Sequence, residues 1–253
     1  FLNNVEFKQA LPSDELELNR LLTIHALVRF KNGNFSAPVE EILMNNNAKV
    51  LDVGCGPGCW IIDLATDFPK STFIGIDIVS GNFPPVNKRP SNAGFLECNV
   101  LNGIPFPNET FDYVHMSIMW SAFTRKQYIN TIHELVRVTK HDGWIEIQES
   151  DLELVNLGDS MKFLQSTVHA KLREDGFDPK IVFEIPKCLE SIDEVSNFEH
   201  YEIKASLGKW SGNLGEYALE LLKQYYGALT YMPDYMKISH QEYQKLFEKF
   251  DNE

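Results

Sequence analysis

Val50-Leu51-Asp52-Val53-Gly54-Cys55-Gly56-Pro57-Gly58 carries a short apolar run straight into three glycines and a proline. The run from Ala48 to Val53 reads as a buried strand, and after Pro57 the residues Trp60, Ile61, Leu64, Ala65 and Phe68 fall on one face of a helix. Strand, glycine loop and helix in immediate succession suit a ligand: glycines admit it without presenting a Cβ, and the helix start offers N–H groups that lack helical partners. The next apolar run, Thr72 to Asp77, ends in an acid nineteen residues beyond Gly58, close to the ~20 residues at which a carboxylate meets ribose hydroxyls. A nucleotide-type ligand is therefore expected on Gly54, Gly56, Gly58 and Asp77. Cys59 stands where a dinucleotide fingerprint needs its last glycine, and no Gly-Lys-Ser/Thr closes a phosphate-binding loop.

Working outward, the apolar runs Gly94–Cys98, Tyr113–Ile118 and Trp144–Ile147 read as further strands, with a helix bearing Tyr128, Ile129, Ile132, Leu135 and Val136 between the last two. Strands alternating with helices predict an α/β fold, a doubly wound and mainly parallel sheet covered on both faces. Ahead of it, a helix opened by Pro12-Ser13-Asp14-Glu15 carries Leu18, Leu21, Leu22, His25 and Val28. Beyond Asp151 helices are expected on the stripe Met161, Leu164, Val168 and Leu172, from Pro186, along Leu214 to Tyr225, and behind the capping box Ser239-x-x-Glu242. Phe198 through Ser206 alternates like an outer strand.

Composition removes several classes of partner. The 253 residues hold 36 Asp+Glu against 23 Lys+Arg, a formal net charge of -13. With no basic cluster to offset it, that surplus repels polyanions, so neither nucleic acid nor a membrane surface is expected as a partner. No apolar run approaches the ~18 residues of a membrane span, and Phe1 to Glu6 lack the pattern of a signal peptide. An intracellular protein, cytoplasmic or nuclear, is expected, and a start at Phe1 instead of Met is what a fragment or trimmed chain would show. Cys55, Cys59, Cys98 and Cys188 follow no disulfide or zinc spacing, and no metal site is expected.

The glycine string with its preceding Asp52 resembles the first motif of class I S-adenosylmethionine-dependent methyltransferases. The resemblance continues in order through Phe73-Ile74-Gly75-Ile76-Asp77-Ile78, Glu97-Cys98-Asn99-Val100, Ile104-Pro105-Phe106-Pro107, Phe111-Asp112-Tyr113-Val114 and Leu135 to Ile145. More narrowly, Leu11-Pro12 with Glu15, Ala37-Pro38-Val39 and the Gly208-Lys209-Trp210-Ser211-Gly212 turn are similar to fungal methyltransferases, a group that includes regulators of secondary metabolism. The resemblance implies a Rossmann-like fold with added N- and C-terminal helices, read as one domain over 1–253: a helical cap at 1–47, a cofactor-binding core at 48–150, and a helical acceptor lid with an outer strand at 151–253. It implies S-adenosyl-L-methionine as cofactor and S-adenosyl-L-homocysteine as product. Asp52 would answer the ammonium of the methionine half, Gly54, Cys55, Gly56 and Gly58 would wrap it, Asp77 would hold the ribose, and Ile78, Asn99 and Val100 would meet adenine, with Met116 beside them. Many members have Asp where this chain has Asn99.

Methyl transfer is an in-line displacement whose electrophile comes from the cofactor, so alignment and exclusion of water are the protein's main tasks. In this topology the acceptor, a small molecule or a protein side chain, enters above the carboxyl ends of the fourth and fifth strands. His115 is the candidate base, since imidazole takes a proton near neutral pH; a strand-end histidine bonded to backbone is the other reading. His25, Met119, Trp120, Glu149 and Trp210 are the candidate acceptor pocket. A domain that binds the cofactor as a regulatory or scaffolding partner is the alternative function.

Overall fold

A computed structural model describes residues 15–45, 47–151 and 153–251. The cap expected at Pro12-Ser13-Asp14 and the Leu11-Pro12 motif lie outside them. The chain runs α1 (Glu15–Asn32), α2 (Glu40–Asn45), β1 (Lys49–Val53), α3 (Cys59–Asp67), β2 (Thr72–Asp77), β3 (Ala93–Glu97), β4 (Phe111–Ser117), α4 (Arg125–Val138) and β5 (Thr139–Gln148). It continues as α5 (Asp159–Glu174), α6 (Ile185–Glu190), α7 (Gly212–Ala228), α8 (Met232–Met236) and α9 (His240–Glu248). The strands form one parallel sheet in the order β3-β2-β1-β4-β5. None of the described helices is long and apolar enough to cross a membrane.

Period-two alternation divides the sheet's side chains between two cores. Val50, Phe73 and Tyr113 pack with Trp60, Ile61 and Leu64 of α3 and with Leu43 of α2. Leu51, Val53, Ile76, Val114 and Met116 face the other way, onto Ile132 and Leu135 of α4, Leu164 and Val168 of α5 and Leu222 of α7. Because both faces are covered, β1 and β4 read as nearly continuous apolar runs.

Helix α4 begins with a capping box in which Thr124 and Gln127 satisfy each other's backbone N–H groups, and Ser239 with Glu242 does the same for α9. Strand β5 starts at once after α4, and its pairing with β4 shifts between Phe111 and Tyr113. The outer strand expected at Phe198–Ser206 is absent, and the segment is irregular. Tyr201 is 66% and Ile203 55% exposed, so its alternation has no buried face to serve.

In α1 the face turned inward is Glu17, Arg20, Leu21, Ile24, His25 and Val28, while Leu22 from the expected stripe is exposed. A buried ion pair, Arg20 to Glu17 at 2.7 and 2.6 Å, occupies that face. Counting apolar residues alone therefore misplaced it by part of a turn.

Gly58 precedes α3 with φ of 74°, and a Cβ there would fall 2.3 Å from the Phe95 ring. Left-handed backbone costs a residue with a side chain about 1–2 kcal/mol, and forced repacking adds about 1–3 kcal/mol. Gly58→Ala should thus lose roughly 2–4 kcal/mol, lowering the melting temperature by about 5–15 °C in a calorimetric scan.

Candidate functional site

In the sheet β1 and β4 are neighbours, yet the chain leaves β1 toward β2 and leaves β4 toward β5. The connections diverge at the carboxyl ends of these two strands, which opens a crevice there. A cavity of about 200 Å³ occupies the crevice, room for a ligand instead of one or two waters. Asp52, Gly54, Cys55 and Gly56 line it from β1 and its loop, Asp77 and Ile78 from β2, and Asn99 and Val100 from the turn after β3. His115 lines it from β4 and Met119 from the segment that follows, and α1 covers it with Leu21, Ile24, His25 and Val28.

Asp77 ties the glycine loop to the end of β2. Its Oδ2 accepts from the Gly56 N–H and its Oδ1 from the Val79 N–H, both at 2.8 Å. Burial raises its pKa above the usual carboxylate value, the Val79, Gly56 and Ile78 N–H groups pull it back, and the nearby charge of Asp52 adds a smaller upward push. A carboxylate has about four acceptor positions; the three N–H groups that bear on Asp77 leave room to accept from a hydroxyl. Asn99 caps the following turn, its Oδ1 accepting from the Leu101 N–H at 3.1 Å. Beside the loop, burial and the charges of Asp52 and Asp77 push the Cys55 thiol far up, so it stays neutral and serves as a small packing group.

Asp52 and His115 are register partners across β1 and β4, on the face that looks toward α3. Their side chains meet, with His115 Nδ1 2.7 Å from Asp52 Oδ1, and both are about 5% exposed. A carboxylate only accepts, so Nδ1 is the donor and Nε2 of the neutral ring is left as an acceptor. The Trp60 indole stacks on the imidazole at 4.0 Å and 8°. Trp60 is in turn fixed by its Nε1–H, which donates to the Asn34 carbonyl at 2.6 Å.

The cover is attached to the same face. Asp63 of α3 takes His25 at 3.0 Å and also pairs with Arg29. Farther on, the N–H groups of Ser36 and Ala37 donate to Glu146 of β5 at 2.9 and 2.8 Å, and the Tyr113 hydroxyl joins them at 3.0 Å.

Five expected site residues lie elsewhere. Met116 is fully buried on the opposite sheet face, because one residue along a strand reverses direction. Gly58 meets Phe95 instead of the cavity. Trp120, 4% exposed, packs against Tyr225 of α7, whereas Trp210 is 80% exposed on the surface. Glu149 sits behind the wall: its Oε1 accepts from the Met119 N–H and the Tyr128 hydroxyl, each at 2.7 Å. Trp60, Arg20 and Ile24 line the cavity without having been singled out. For Trp60 the signal was its place in the first turn of α3; for Arg20 and Ile24 it was the four-residue spacing that lines them up with Val28.

Residues 50–143 match the family described as "Methyltransferase domain". The chain is 31% identical over 155 residues to "Secondary metabolism regulator laeA" of Coprinopsis cinerea, covering 58% of this chain and 38% of that protein. It is 27% identical over 151 residues to "N-methyltransferase verN" of Clonostachys rogersoniana, covering 58% and 52%. Among solved structures, the plantazolicin methyltransferase BpumL in complex with a triazolic desmethylPZN analog and SAH is 18% identical with a TM-score of 0.49, over 69% of this chain and 67% of that one. The chain thus spans about half or less of the length of these two fungal relatives. The matched methyltransferase domain runs from β1 into β5, so the likeness to that family takes in the glycine loop, Asp77 and the strands whose ends form the crevice.

Proposed function

We propose that the chain binds S-adenosyl-L-methionine in the crevice between β1 and β4 and passes its methyl group to a small-molecule or protein acceptor. The observation that carries this reading is the Asp77 carboxylate. It lines the same cavity as the glycine loop and is braced by the Gly56 and Val79 N–H groups, yet it keeps acceptor capacity for a ribose hydroxyl. The residues fit the cofactor in other respects: Ile78 and Val100 offer apolar contact for adenine, Asn99 a polar edge, and Gly56 an approach in which a Cβ would meet only Leu21, at 3.9 Å. Asp52 remains the acid facing the methionine half, with Oδ1 engaged by His115.

When bound, the cofactor supplies an electrophilic methyl on a sulfonium. The chain supplies orientation and a dry site. Helix α1, held through Asp63, covers the cavity with Leu21, Ile24 and Val28 and keeps water from it. His115 is the group to take a proton from an acceptor that must lose one, and the support for this is its bond to Asp52, which leaves Nε2 as the proton acceptor. Since one relative is described as an N-methyltransferase, amines belong among the first acceptors assayed.

Asp77→Asn keeps the shape and removes the charge. It is expected to weaken S-adenosyl-L-homocysteine binding by about 1.5–3 kcal/mol, or roughly 10- to 150-fold in Kd by calorimetry; an unchanged Kd takes Asp77 out of the site. In single-turnover transfer of labelled methyl to amine-rich fungal extract, His115→Ala should slow the parent's rate about 100-fold. A rate within a few-fold of the parent would make His115 structural, and tight binding with no label transferred by the parent would turn the reading toward a regulatory binding protein.

A further inference from the structure

Just past β5, Glu149 buries its carboxyl group beneath the segment that follows β4. Oε1 accepts from the Met119 N–H and the Tyr128 hydroxyl, and the Trp120 and Ser150 N–H groups also bear on it. Oε2 is buried and has no hydrogen-bond partner among the described residues. The segment it grips is tightly bent: Ile118 has φ of 53°, a conformation a β-branched residue holds only where its surroundings enforce it. Two groups enforce it here. The Ile118 N–H donates to the Gln148 carbonyl at 2.8 Å, and Glu149 takes the next N–H along.

The bend aims Met119 at the glycine loop. A Cβ on Gly54 would come within 2.2 Å of the Met119 sulfur, so the thioether lies directly on Gly54 and forms part of the cavity wall. We propose that Glu149 is a positioning residue, whose carboxyl group sets the segment after β4 so that Met119 closes the cavity over Gly54, and whose ionisation tightens that closure. An ionised carboxylate accepts the Met119 N–H and the Tyr128 hydroxyl about twice as strongly as a neutral acid does. The effect on ligand affinity rests on the cofactor reading above; the effect on Met119 does not.

The titration is within a useful range. Burial pushes the Glu149 carboxyl up to about 7, against the Tyr128 hydroxyl and the Met119, Trp120 and Ser150 N–H groups, which pull it down. From α4 the titratable group facing it is Tyr128; the segment after β4 contributes backbone N–H groups. Asp151, two residues on, turns its Oδ1 to the Glu153 N–H at 3.2 Å, and His115 of β4 is bound to Asp52. Among the described residues no ion pair reaches Glu149.

Carbon-13 labelling of the methionine methyls, with the Met119 signal assigned by Met119→Leu, reads the position of this side chain directly. In the parent that signal should titrate with a midpoint near 7; in Glu149→Gln it should be flat, and in Tyr128→Phe, which removes a donor to the carboxylate, the midpoint should rise. Calorimetry with S-adenosyl-L-homocysteine should show the parent binding roughly threefold or more tightly at pH 8 than at pH 6, with that gain lost in Glu149→Gln. Thermal unfolding shows whether the variant folds and has its own sign. The folded-state value lies above the ordinary 4.5, so the parent's stability falls as pH climbs from about 4.5 to about 7. Glu149→Gln should therefore gain melting temperature over the parent at pH 8 relative to pH 5. A Met119 signal indifferent to pH, or one that titrates alike in parent and Glu149→Gln, overturns the proposal; so does an affinity gain kept by Glu149→Gln. If Met119 titrates through Glu149 while the parent binds no S-adenosyl-L-homocysteine at either pH, the positioning role stands and the cofactor reading falls.

Discussion

Pairing of β1 with β4 at the centre of the sheet, with Asp52 directly opposite His115, is the constraint on which the crevice depends. Parallel neighbours joined through opposite edges of a sheet must send their connections apart, and the space between those connections cannot be filled by either one. Everything that lines the cavity follows from where these strands end. The same pairing places two polar side chains inside a sheet otherwise lined by Val50, Leu51, Val53 and Val114. Each satisfies the other, so burial costs less than it would for either alone.

Around this centre, carboxylates brace backbone. Asp77 holds the glycine loop and the start of the next turn, Glu146 holds the entry from α1, and Asp112 accepts from the Lys49 N–H at 2.8 Å. An acidic side chain can accept several N–H bonds at once, which makes it suited to fixing irregular segments whose N–H groups have no sheet or helix partner. Part of the chain's acidic surplus is thus structural. It repels polyanions as a net charge, and locally it fixes the glycine loop, the entry from α1 and the start of β1.

The core of the fold was legible because its signals are local. Val50 to Val53 and Thr72 to Asp77 are short buried strands, the glycines follow at once, and the capping boxes of α4 and α9 depend on residues three apart. Asp77 could be selected for the same reason, standing at the end of a strand recognised from its own residues, whereas Ile78, Asn99 and Val100 were pointed to by the ordered motifs of the family resemblance. Met116, Trp120, Glu149 and Trp210 could not. Met116 fell on the other face through the alternation of β4 itself, whereas for Trp120 chain proximity to the end of β4 says nothing about the face taken after a bend, and Ile118, in left-handed conformation, redirects the segment that follows. The outer strand failed differently. Alternation is a condition for a half-buried strand, but Phe198 to Ser206 has no neighbouring strand to pair with among the described residues.

By itself, then, the sequence determined the order of strands and helices, the glycine loop and the acid that braces it, since periodicity and turn chemistry act over a few residues. Only the tertiary structure decided that Asp52 would hold His115 under Trp60, that α1 would cover the crevice with a buried ion pair on its inner face, and that Glu149 would sit behind the wall and hold Met119 against Gly54. The physical reason is that each of these contacts joins segments many residues apart, and their partners are chosen by strand register and helix docking, which no local pattern encodes.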